Sequence, residues 1–156
     1  MTEPTAVPEG PLYLDKAAPE IFAAMAGVSK MIAAAAADAG ISQQLLELVN
    51  LRISQINGCA YCLDVHYEKA VRLGEDPRRL AVLQEWQETT LFDDAESASL
   101  ELAECITLIP EPAERSEIED CARAVLGDAG YAVVAWAAIS MNAFNRVSIT
   151  SHHPVS

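Results

Sequence analysis

From Ser42 to Ile56 the chain carries Leu45, Leu46, Leu48, Val49, Leu51, Ile53 and Ile56. At ~100° per residue these side chains surround a helix axis almost completely. A helix apolar on so many sides has to be covered on more than one of them. This stretch therefore demands an architecture in which other helices wrap a central one. Ser42 is a good N-cap for it, because a serine hydroxyl accepts one of the free N–H groups of the first turn. Asn57-Gly58 closes it as a turn signal. Glu47, set between Leu46 and Leu48, stands out as an acid placed for function rather than for solvation.

The flanking chain supplies the wrapping. Ala17 to about Asp38 reads as a helix with Pro19 in its first turn, apolar positions at Ile21, Phe22, Met25, Val28 and Met31, and Gly40 as its stop. A third helix is expected from Cys59 to Leu73, closed by Gly74. Asp76-Pro77 marks an N-cap followed by proline at the first helical position, opening a short helix with Leu80, Leu83 and Trp86. Asp93 and Glu96 have the spacing of a capping box for a further helix that ends before Pro110 and Pro112. Ser116 is expected to cap a shorter helix through Leu126, and after Gly127-Asp128 a long final helix carries Tyr131, Val134, Trp136, Met141 and Phe144. No β-branched run alternates between turn signals, so the expected fold class is all-α, a bundle of about six to eight helices. The 156 residues make one domain, divided as a flexible arm over 1–12, a helical domain over 13–150 and a flexible tail over 151–156. His152 and His153 read as surface residues of that tail rather than as metal ligands.

Charge and cysteine usage narrow the functional classes. Twenty-three acidic against ten basic side chains give a formal net charge of −13. Such a field repels nucleic acid and anionic membranes. No run approaches the ~18 apolar residues of a membrane span, and no secretory signal opens the sequence, so a cytoplasmic protein is expected. Four cysteines without that signal do not form the framework of a secreted disulfide scaffold. Cys105 and Cys121, scattered in helical patterns, read as small buried hydrophobes.

Cys59 and Cys62 are different. They stand three apart, with His66 four beyond Cys62, so on a helix the three share one face. Directly after Asn57-Gly58 they occupy a first turn, where unpaired N–H groups and the positive end of the helix dipole favour a thiolate. Such a pair cycles between dithiol and disulfide. Cys62, nearer His66, is the thiol expected to attack a hydroperoxide and become a sulfenic acid. Cys59, expected to be the more exposed, would resolve it and meet the reductant. His66 is the proton relay, with Glu47 polarising it. A c-type haem site is excluded, because Leu63 stands where its histidine must be. Zinc on Cys59, Cys62, His66 and Glu47 is chemically acceptable, but this core is large enough to stand without such a staple. No metal or cofactor is therefore expected.

The set Glu47, Cys59, Cys62 and His66, in the wording LRISQINGCAYCLDVH, resembles the alkylhydroperoxidase AhpD-like group of the carboxymuconolactone decarboxylase family. The resemblance continues through Gly74, Leu83 to Trp86, Leu102-Ala103-Glu104 and the MNAFNR of Met141 to Arg146. It implies an all-α fold assembled as a homotrimer or homohexamer, with Cys62 peroxidatic, Cys59 resolving, and His66 and Glu47 as proton relay. It also implies an external dithiol or protein reductant, which in well-studied members is a lipoyl-bearing adaptor. Members that decarboxylate a lactone generally lack the cysteine pair, so that activity is not implied. Asn142, Asn145 and Arg146 read as polar groups of a helix packing or subunit contact. The leading reading is a thiol-dependent peroxidase in an antioxidant role. A dithiol-disulfide oxidoreductase and a non-catalytic oligomeric redox sensor are the alternatives.

Overall fold

Local chemistry at the helix ends sets the element order in the computed structural model, which describes residues 9–155. Helix α1 is the single turn Leu14–Ala17, and α2 runs Pro19–Asp38 with its proline at the first position. Helix α3, Gln43–Asn57, is capped by Ser42, whose Oγ accepts from the Leu45 N–H at 3.1 Å. It ends at Gly58, whose positive φ of 68° lets the chain reverse without a Cβ clash. Helix α4, Ala60–Arg72, follows at once. Asp76 caps the short α5, Pro77–Ala81, and a 3-10 helix covers Leu83–Glu88. Asp93 and Glu96 form a reciprocal capping box at the start of α6, Asp94–Leu108. Helix α7, Pro112–Thr150, closes the chain. No strand occurs among the described residues, and the molecule is an all-α bundle.

The expected centre is the real one. On one side of α3, Leu45, Leu46, Val49 and Ile53 pack with Leu102 of α6 and Val134 of α7. On the other, Leu48 and Leu51 pack with Ala70 of α4 and with Leu80, Leu83 and Trp86. The two clusters explain why apolar residues encircle this helix: it has no solvent-facing side wide enough for a polar stripe.

Several expectations are corrected. The helix assigned to begin at Ser116 begins at Pro112, because proline fits a first helical position, where its missing N–H costs nothing. The break at Gly127 is present as one residue at φ 67°, ψ 169°, a conformation open to glycine alone, inside an otherwise continuous α7. The single short helix read around Leu80 to Trp86 is split at Val82. By length and composition, α2 and α7 are apolar enough to cross a membrane, although no such run was expected; their alanines carry the difference. In the bundle α7 buries Val134, Ala137, Ala138 and Met141 against α3 and α6.

The two ends of the chain also meet. Ser151 is fully buried, and its Oγ accepts from the Leu14 N–H at 3.0 Å. Of the segment read as a frayed tail, Ser151 and His153 thus hold to α1, while His152, Pro154 and Val155 are exposed. Of the expected N-terminal arm, 1–8 lie outside the described residues, while Glu9 to Leu12 are exposed.

Candidate functional site

The α3–α4 turn carries the cysteines, and a buried polar network fixes it. The Asn57 Nδ2 donates to Asn142 Oδ1 and to Asn145 Oδ1, both at 2.9 Å. Asn145, fully buried, donates to Ser54 Oγ at 3.0 Å, and Asn142 donates to Thr107 Oγ1 at 2.9 Å. Asn142 and Asn145 thus join α7 to the last turn of α3, in agreement with their reading as packing groups. Their function is positional: they hold the residue before Gly58, and the chain reverses into Cys59 from a fixed point.

Cys59 is the N-cap of α4, and its Sγ accepts from the Cys62 N–H at 3.3 Å. The two cysteines form a disulfide, with Cα atoms 5.3 Å apart. The placement at a helix start is as expected, but the relative exposure is not. Cys59 is 2% exposed and Cys62 4%, and it is Cys62 that lines the adjacent cleft. The capping geometry accounts for this, since it turns the Cys59 sulfur onto the first turn of its own helix and into the core.

That cleft, of about 820 Å³, is bounded by α1, α2, α3, α4, α7 and the chain's C-terminal segment. Glu47 reaches it from α3 and His66 from α4, with Glu47 Oε2 at 2.5 Å from His66 Nδ1. Both side chains are mostly buried, so their hydrogen bond is shielded from competing water. Three of the four expected site residues therefore share one cavity wall, and the fourth is bonded to it from behind. No cluster of metal-ligating side chains occurs among the described residues. The arrangement has the parts for thiol redox chemistry: a reducible sulfur facing a cavity, a histidine on the same wall, and a carboxylate holding one ring nitrogen so that the other is free to exchange a proton.

One part was missed. His153, assigned to the surface, lines the same cleft. Its Nε2 is 3.0 Å from Asp15 Oδ1, its Nδ1 is 3.3 Å from Ser148 Oγ, and its ring lies against Tyr13 and Tyr61. The cleft thus holds two histidine–carboxylate pairs, Glu47–His66 and Asp15–His153. The second joins residues 138 apart in sequence, for which no local pattern exists. The other cysteines divide. Cys105 is buried as expected, whereas Cys121 is exposed, which corrects its reading as a core residue.

Comparison with known proteins agrees with the all-α fold. The uncharacterized protein YdfG of Bacillus subtilis is 36% identical over 109 residues, covering 70% of this chain and 74% of that protein. The uncharacterized protein YnjA of Escherichia coli is 39% identical over 64 residues, 40% of this chain and 35% of the other. A crystal structure of an Agrobacterium tumefaciens protein of unknown function, described as a candidate antioxidant defence protein AhpD, superposes with a TM-score of 0.83 at 25% identity. That superposition covers 95% of this chain and all of the other. The closely spaced cysteine pair in an AhpD-like fold makes this a redox-active site. The carboxymuconolactone decarboxylase family profile matches residues 19–104, which include all of α3 and the Cys59–His66 segment, and the chain belongs to that family.

Proposed function

We propose that the protein is a thiol-dependent peroxidase of the alkylhydroperoxide reductase type. The observation that carries this reading is the meeting on one cleft of Cys62 with the Glu47–His66 pair. In the reduced enzyme, His66 takes the Cys62 proton and the thiolate attacks the terminal peroxide oxygen. The O–O bond breaks, the alkoxide takes the proton back from His66, and Cys62 is left as a sulfenic acid. The Cys59 thiol then attacks that sulfur, water leaves, and the disulfide closes. Two electrons pass from the cysteine pair to the peroxide, and an external dithiol restores them.

The buried position of Cys59 alters the expected reductive half. A donor thiolate entering through the cleft meets Cys62, and the sulfur displaced is that of Cys59. The Cys62 N–H and the start of α4 stabilise the departing thiolate. The same feature favours a second reading, dithiol-disulfide exchange, because a stabilised leaving thiolate speeds that reaction with any thiol partner. We place either activity in a reducing cytoplasmic compartment, in a homotrimer or homohexamer.

The test is peroxide consumption by reduced wild type, C62S and C59S, with dihydrolipoamide and a thioredoxin system as alternative donors. Turnover lost in both variants, with sulfenic acid trapped at Cys62 in C59S, is the expected result. Rapid thiol exchange with negligible peroxide consumption would replace this reading by the second. Neither activity, with an assembly that changes on oxidation, would make the protein a sensor.

A further inference from the structure

The charge at the cleft is opposite to that of the molecule. The chain has three lysines, Lys16, Lys30 and Lys69, and all three line this cleft, one each from α1, α2 and α4. None of the seven arginines does. Among the described residues no lysine joins an ion pair; Lys16 instead lies 4.6 Å over the Tyr13 ring. The two carboxylates of the cleft, Asp15 and Glu47, are each engaged by a histidine. The unengaged charge at the opening is therefore positive, on a protein of net charge −13. Three ammonium groups on flexible stems around one cavity concentrate small anions there against the overall field.

The larger part of the remaining lining is apolar, with Phe22, Ile32, Leu46, Val65, Met141 and Phe144 beside polar groups such as Asn50 and Ser140. The apolar side chains have nothing to offer a small polar peroxide, and the lysines have nothing to offer a neutral one. A ligand that uses both has an anionic head and a hydrocarbon body. The cleft volume of about 820 Å³ is within the ~300–1,000 Å³ of small-molecule sites. We propose that the cleft binds a long-chain carboxylic acid, its carboxylate among Lys16, Lys30 and Lys69 and its chain along the apolar part of the lining. The hydroperoxide of such an acid is then the substrate that Cys62 reduces to the hydroxy acid. This last clause rests on the peroxidase reading, whereas the binding does not.

The test separates the two. Decanoate and decanol are titrated calorimetrically into the oxidised full-length protein, and into its K30M, K69M and triple K16M/K30M/K69M variants. Methionine keeps the stem's bulk and removes the charge, and a thermal melt of each variant checks folding. Decanoate is expected to bind about tenfold more tightly than decanol, an advantage that shrinks in each single variant, vanishes in the triple one and weakens with added salt. Equal affinities in the wild type, or an advantage untouched by the substitutions, would overturn the proposal. In turnover, linoleic acid hydroperoxide is expected to have a lower KM than its methyl ester. Cumene hydroperoxide reduction without decanoate binding would leave the peroxidase and remove this ligand class. Decanoate binding without any peroxide turnover would leave the binding site and remove the peroxidase.

Discussion

Glu47 to glutamine is the sharpest single change in the proposed relay. Glutamine keeps the length and one acceptor oxygen opposite His66 Nδ1, but it carries no charge to balance a protonated imidazole. Because the pair is shielded, that charge counts for more than it would at a surface. The E47Q variant is expected to lose about 10²-fold in the rate of sulfenic acid formation at Cys62, in a C59S background, with a melting temperature close to that of its parent. An unchanged rate would remove Glu47 from the relay. The remaining thiols give an independent check at the same scale. Burial pushes the Cys105 thiol up from its ordinary range, and the nearby Glu119 carboxylate pushes it the same way. Cys105 is thus both hidden and protonated at pH 8, whereas Cys121 lies open to solvent. Iodoacetamide applied to the native oxidised protein is expected to modify Cys121 alone, with Cys105 reacting only after unfolding; equal native labelling would contradict this packing.

At the scale of elements, what could be read in the sequence was what is local. Ser42, Gly58, Asp76-Pro77 and the Asp93–Glu96 box all act within a few residues of themselves, and each marks a real boundary. Glu47, Cys62 and His66 were legible as a set because α3 and α4 are joined by one tight turn, so spacing along the chain fixes spacing in space. Pro112 could not be told from a terminator, since proline stops one helix and starts the next with the same ring. Nor could the Asp15–His153 pair or the Leu14–Ser151 bond be foreseen, because contacts between chain ends leave no periodic trace. The Asn57–Asn145–Ser54 network lies between these cases: Asn57 and Asn145 were visible, their partners were not. Asn145 to leucine removes one of the two acceptors of the Asn57 amide and the donor to the Ser54 hydroxyl, while Asn57 keeps Asn142 and Ser54 keeps the Asn50 carbonyl. Urea denaturation of N145L, with two hydrogen bonds lost, is expected to show a loss of about 2 kcal/mol. A loss below about 1 kcal/mol would mean that the network can re-pair around leucine.

The whole molecule leaves two apolar stripes in solvent. On α2, Ile21, Ala24, Val28, Met31 and Ala35 are exposed and fall within an arc of ~80°; Ile21 is 68% and Met31 73% exposed. On α7, beyond Gly127, Ala129, Ala132, Trp136 and Ile139 are exposed and span a similar arc of ~80°. Small residues in both stripes let helix backbones approach closely, and contiguous apolar surface of this kind marks an interaction site. Two different stripes suit a head-to-tail contact, α2 of one subunit on α7 of the next, which closes into a ring such as the proposed trimer. Sedimentation should then give a multiple of the 16.8 kDa chain mass for wild type, and monomers for M31E and for W136E. Mixing the two variants discriminates the geometry. In a head-to-tail contact, the W136E subunit keeps an intact α2 stripe and the M31E subunit an intact α7 stripe, so the mixture forms one sound interface and yields a 1:1 dimer. If each stripe instead pairs with its own copy, M31E retains homodimers through α7 and W136E through α2, and mixing them creates no new species. A wild type that sediments as a monomer would leave both stripes without a subunit partner.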